Sequence, residues 1–156
     1  MVVGPIRYST SIEMIEGCRQ AADRLGVACD ETMISETVFT YEGGQAGSAQ
    51  LLEAGATGII AANDLMAAGV ITAVRAWGGS VPDDVSVIGF DGTPPMSYTA
   101  PRLTTMRQPI DRMSVAATEM LVDSIAGNGV NQTQVFAPEL VVGRSTGRAK
   151  SVAAVR

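Results

Sequence analysis

The side chains of this chain that could do chemistry are few, and their types narrow the choice. None of its 156 residues is histidine, the side chain best suited to moving protons near neutral pH. "GRSTG", Gly143 to Gly147, has the G-x-S-x-G spacing of a hydrolase nucleophile turn. That chemistry needs a base beside the serine, and no helix visibly follows Gly147, so Ser145 reads as structural. "EGGQAGSAQLL" approaches a dinucleotide loop, with Asp64 standing 20 residues beyond Gly44 as a ribose-binding acid. In register, however, the first required glycine is Glu42, and no Walker lysine follows. Gly43-Gly44 is therefore read as a turn into a helix. Cys18 and Cys29 lack metal-ligand spacing and read as reduced, small apolar side chains. No catalytic residue, metal ligand or cofactor is expected, and the chain reads as a non-enzyme.

What remains is hydrogen-bonding and aromatic chemistry at particular places. In "IIAANDLMAAGV", residues 59 to 70, an apolar run meets Asn63-Asp64 and passes into an Ala-rich stretch. This is the pattern of strand, turn and helix. Either residue could cap the helix, or it could serve a ligand at the carboxyl end of the strand. Tyr8 to Thr10 stand after the first apolar run, Phe39 after the second, and Asp91 directly after "VSVIGF". Gln108 follows another extended piece. Each polar residue alone is equally well read as a cap or turn. All βα junctions of a parallel sheet lie on one side, so together they favour a cleft. An amide, an acid and an aromatic face suit a polyhydroxylated molecule.

The elements that must position these residues follow from the punctuation. Val2-Val3 opens a strand ended by Gly4-Pro5. Ser9 or Ser11 caps a helix running to about Leu25, with Gly26 as its stop. A second strand lies within Val27 to Val38, and a helix Gln45–Glu53 follows, closed by Gly55. Then come strand Thr57–Ala62, helix Asp64–Trp77, and strand Val85–Phe90. This alternation implies an α/β fold with a Rossmann-like parallel sheet and crossover helices. Beyond Asp91 the chain has a Pro-containing loop, an extended "LTTMRQP" and an amphipathic helix Ile110–Ala126. That helix carries Met113, Ala117, Met120, Leu121 and Ser124 in one mostly apolar stripe. One or two short strands follow in "QVFAPELVVG", and the tail from about Gly147 reads as frayed.

Composition bounds the partners. Apolar residues make up 46% and charged residues 17%, as in a globular domain with a core. The net charge of −5 and eleven scattered basic residues argue against DNA binding by the chain itself. No apolar run approaches the ~20 residues that cross a bilayer, and "MVVGPIRYST" lacks signal-peptide character. With its unpaired cysteines, the expectation is a cytoplasmic protein without a membrane partner.

"TGIIAANDLMAAGVITAVRAWGGSVPDDVSVIGFDG", followed by "PRLTTMRQP", resembles the effector-binding core of lactose-repressor/galactose-repressor (LacI/GalR) transcriptional regulators. "VVGP", with Gly17 thirteen residues after Gly4, is similar to that family's strand and following helix. The resemblance covers roughly residues 1 to 148. It implies a periplasmic-binding-protein-like type I fold, this chain supplying the C-terminal lobe. Residues 1–107 would form that lobe, 108–138 would return to the N-terminal lobe, 139–148 would hold the final strand, and 149–156 would be a flexible tail. The DNA-reading head and most of the N-terminal lobe would lie outside the chain, so DNA would be a partner only through a missing N-terminal domain.

The resemblance also implies roles. Asn63 and Asp91 match residues that hydrogen-bond a small, sugar-like effector, Phe39 an aromatic wall, Thr10 the pocket lining, and Gln108 the lobe crossover. Met14 stands where the family often has an arginine reaching ligand hydroxyls or charge, which implies a less polar or differently oriented effector. Arg7 is near enough in sequence to be considered as a replacement. A homodimer is expected, with the helix beginning at Leu65 and the loop around Met96 to Tyr98 contributing. The alternative is a periplasmic-type sugar-binding protein of the same fold.

Overall fold

Val2 and Val3 have no solvent exposure, so even a two-residue strand here is fixed by burial on both faces. The computed structural model describes residues 1–27, 29–94, 99–128 and 133–148. Strand β1 (Val2–Val3) pairs in parallel with β2 (Ser35–Glu36), Val2 opposite Ser35. A further parallel bridge joins Val2 to Ala61, just beyond β3 (Gly58–Ile60). β3 then pairs with β4 (Ser86–Asp91), and β4 with β5 (Thr104–Arg107), all parallel. The last strand, β6 (Glu139–Val141), runs antiparallel on β5, Leu140 opposite Met106. Hydrogen bonding thus gives the order β2-β1-β3-β4-β5-β6. Between β1 and β3 the direction of winding reverses, and α/β sheets bind ligands at such a switch point.

Four α-helices lie among the described residues: α1 (Ser9–Leu25), α2 (Tyr41–Glu53), α3 (Asp64–Ala76) and α4 (Ile110–Ile125). The core lies between the sheet and α2 and α3, with Leu51, Ile59, Met66, Val70, Val74 and Val87 withdrawn from water. α2 and α3 approach backbone to backbone. A Cβ on Gly44 would stand 2.1 Å from the Met66 carbonyl oxygen, and one on Gly69 would stand 2.0 Å from that of Tyr41. The small residues of "LMAAGV" therefore serve packing within the chain. Gly43-Gly44 is not a turn before the helix: α2 already starts at Tyr41, capped by the Thr40 hydroxyl, and the two glycines sit in its first turn, Gly43 against the Val38 carbonyl and Gly44 against α3.

Other local expectations also change. α1 has Tyr8 at its N-cap without a side-chain cap, and Ser11 is buried inside the helix instead of capping it. Gly26 ends α1 in the left-handed region at φ 66°, as expected. Val135 lies in irregular chain, so the "QVFAPELVVG" stretch contributes one strand. Trp77 is the C-cap of α3 and is more than half exposed. α4 keeps Ala116 buried, but Ile110, Val115, Leu121, Val122 and Ile125 face water. The loop around Met96 to Tyr98 and the tail 149–156 lie outside the described residues.

Candidate functional site

The switch point between β1 and β3 opens into a cavity of about 530 Å³. Each wall comes from the segment after a strand. After β1, the first turns of α1 supply Thr10 and Met14. After β2 comes Phe39, after β3 Asn63, at the end of β4 Asp91, and after β5 Gln108. All six residues singled out in the sequence line this one cavity. Sequence reasoning passed over Glu13, Ala62 and Phe90, which line it too. Glu13 could have been found from helical spacing, since it falls between Thr10 and Met14 on one face of α1. Phe90 sits beside Asp91 at a strand end, where direction is hard to read from the sequence.

The walls are positioned by specific contacts. Phe39 lies directly over the backbone at the end of β1: a Cβ on Gly4 would come within 2.1 Å of its ring. Tyr8 braces Phe39 from outside, ring centroids 5.9 Å apart and tilted by 52°. Arg7 stacks on Tyr8, 4.9 Å from the ring centroid, and does not line the cavity, so it is no replacement for an arginine at Met14. Asn63 is the N-cap of α3: its Oδ1 accepts from the Met66 N–H at 2.7 Å. The oxygen is thereby committed, and the Nδ2 donor is the end that can serve a ligand.

Asp64 is a structural carboxylate. It is 1% exposed. Its Oδ2 accepts from the Thr93 N–H at 2.8 Å and the Thr93 hydroxyl at 3.2 Å, and its Oδ1 accepts from the Thr105 hydroxyl at 2.5 Å. The start of α3 is thus tied to β5 and to the chain leaving β4. Asp91 stands next to this knot at φ 112°, outside the conformations most side chains adopt. Its carbonyl accepts from Gln108 N at 3.0 Å, and its Oδ1 from Gln108 Nε2 at 2.8 Å. Burial pushes the Asp91 carboxyl above its ordinary pKa. The Gln108 hydrogen bond opposes that, and the charge of Asp64 adds to it. Oδ2 remains as an acceptor beside the cavity. Strain of this kind at a site-lining residue is a recurrent mark of function.

A second cavity, about 710 Å³, shares Asp91 and Gln108 but opens toward Arg102, Arg107 and Asp111 at the start of α4. It gathers none of the α1, β2 or β3 residues. Ser145 belongs to neither. It has no exposure, donates its hydroxyl to the Val87 carbonyl at 2.6 Å and accepts from Thr104 N at 2.8 Å. Its hydroxyl is held between two strands, which excludes a nucleophile.

Comparison with known proteins follows the same lines. The model of the periplasmic binding protein-like domain matches residues 1–146. The chain belongs to this family. An uncharacterized HTH-type transcriptional regulator in the aml 5' region of Streptomyces limosus is 45% identical over 150 residues, which is 94% of this chain and 43% of that protein. The HTH-type regulator MalR of Streptomyces coelicolor is 39% identical, over 96% of this chain and 45% of its own length. A solved complex of the transcriptional regulator CelR with cellobiose superimposes with a TM-score of 0.86 at 31% identity, covering 92% of this chain and 45% of that one. The dimeric Lac repressor superimposes with a TM-score of 0.88 at 25% identity, over 96% of this chain and 55% of the repressor. The chain is a LacI/GalR-family effector-binding region, and it spans less than half the length of the curated regulators it matches. These relatives are regulators and not enzymes. No helix among the described residues is long and apolar enough to cross a membrane.

Proposed function

We propose that this chain is the sensing part of a transcriptional regulator and that its effector is a small, uncharged, sugar-like molecule. The observation that carries the reading is the convergence of five strand-end segments on one cavity at the switch point. The cavity offers the chemistry of sugar recognition: the Asp91 carboxylate as acceptor, the Asn63 amide and Thr10 hydroxyl as donors, and the Phe39 and Phe90 rings for C–H faces. Glu13 and Asp91 are its charged lining residues, and neither lysine nor arginine joins them. That balance disfavours a phosphate or carboxylate on the ligand. The regulator CelR, solved with cellobiose, supports a neutral sugar.

Effector binding changes the closure of two lobes and thereby the placement of DNA-binding heads, the energy coming from unequal ligand affinity for the two states. On this reading residues 1–107 and 139–148 belong to one lobe and 108–138 pass to the other. DNA contact falls to a segment outside this chain, the protein is cytoplasmic, and the working form is a homodimer. Leu65, half exposed at the start of α3, is free to contribute to that interface. Calorimetric titration of the full-length regulator with neutral mono- and disaccharides and with their phosphates tests the effector class. Binding by a neutral sugar and none by its phosphate is expected. Preference for the phosphate would reject the reading.

A further inference from the structure

The chain's two cysteines lie outside the cleft, yet the fold brings them together. At the end of α1, Gly26 turns the chain back, its N–H bonded to the Asp23 carbonyl and that of Val27 to the Ala22 carbonyl. Farther on, the returning chain is pinned to the middle of the same helix. Arg19 Nη2 meets Glu31 Oε1 at 2.5 Å, while its Nη1 holds Glu16 Oε1 at 2.8 Å. Arg19 is the neighbour of Cys18, and Glu31 stands two residues past Cys29. Beside this staple the two thiols are within hydrogen-bonding reach of each other, both half-buried and not joined in a disulfide. Their proximity also shows in Cys18, whose thiol is pushed above its ordinary pKa, first by burial and then by the Cys29 thiol.

We propose that Cys18 and Cys29 form a redox modification site, closing into a disulfide with a hydroperoxide and reopening with a thiol reductant. In the first step the sulfur of one of the two thiols attacks one oxygen of hydrogen peroxide. The O–O bond breaks, leaving a sulfenic acid on that cysteine, and the departing oxygen takes the thiol proton and leaves as water. The other cysteine's sulfur then attacks the oxidised one, the S–O bond breaks, and a second water leaves with the second thiol's proton. The two sulfurs lose two electrons, and the peroxide gains them. The bond would tether α1 one turn beyond Met14, fastening the helix that carries Thr10, Glu13 and Met14 to the segment leading into β2. Disulfides of this kind are transient in reducing compartments and act there as sensors.

The test is mild hydrogen peroxide treatment of the full-length protein, alkylation under denaturing conditions, and tryptic mass mapping. The peptide ending at Arg19 should appear joined to the one beginning at Leu25, two hydrogens lighter than the sum, and separate with dithiothreitol. Cys18→Ser and Cys29→Ser should each abolish the joined peptide. Arg19→Ala, at an exposed position, should slow closure several-fold by releasing the staple. Two alkylated thiols after oxidation, sulfinic acids instead of a bond, links only between chains, or closure at an unchanged rate in Arg19→Ala would each overturn the proposal.

Discussion

Asp64 is held away from water by three donors from two other segments, Thr93 and Thr105, 29 and 41 residues distant. Removing it leaves the Thr93 N–H and the Thr105 hydroxyl without their acceptor. Asp64→Ala should therefore lower stability by at least about 1.5–3 kcal/mol in urea unfolding. A loss within about 0.5 kcal/mol, typical of a surface change, would contradict the knot. For Asp91 the effect of pH has the opposite sign from a stabilising carboxylate. Its folded pKa is raised by desolvation, so the folded state holds the proton more tightly than the unfolded chain. Its contribution is therefore least unfavourable below the ordinary carboxylate range and becomes fully unfavourable once pH passes the raised folded value. Asp91→Asn, which keeps the shape and tolerates a positive φ, should stabilise the fold at neutral pH, and its advantage should shrink as pH falls through the carboxylate range. Denaturant midpoints across that range check this; an advantage that grows on acidification would contradict it. Asn63 was legible as a residue of the strand-to-helix junction, and the structure gives it the cap. Asp64 was not legible as a tie, because its partners are far away in sequence and only the fold brings them near.

Among the elements, α1, α3 and α4 were readable because apolar periodicity and end signals agree in each, as at Gly26. The two-residue strands β1 and β2 were readable only as places in the alternation, since so short a strand is set by what buries it. Gly43-Gly44 misled for a physical reason: glycine next to glycine marks a turn locally, but here Gly44 removes a side chain where two helices meet and Gly43 removes one against the Val38 carbonyl. That close approach is testable at the other helix. A methyl group on Gly69 would press on the Tyr41 carbonyl at 2.0 Å, forcing α2 and α3 apart. Gly69→Ala should lower stability by about 1–3 kcal/mol, against the small gain alanine brings to an unhindered helix position. A thermal melt showing the variant to be as stable as the parent would mean that α2 and α3 do not pack this closely.

At the scale of the molecule, the arrangement of strands places the cleft, and the exposed face of α4 shows what the chain leaves uncovered. Leu121 and Ile125 are 60% and 78% exposed on the same helix as Val115 and Val122. An apolar stripe of this kind marks an association surface. The isolated chain should self-associate at micromolar concentration in sedimentation velocity, and a clean monomer that binds no apolar dye would show that the stripe needs no partner. The cleft itself was legible residue by residue because parallel strands deliver their ends to one edge. What the sequence hid was the backbone strain at Asp91 and the inclusion of Glu13 and Phe90, which depend on how α1 and β4 are rotated. The most direct measurement is calorimetric titration of the full-length protein with neutral sugars, comparing the affinity for the best of them with that of the Asp91→Asn variant. Loss of one charge-assisted hydrogen bond is worth ~1.5–3 kcal/mol, so the variant should bind at least roughly tenfold more weakly. Equal affinity in a folded variant would place the effector elsewhere.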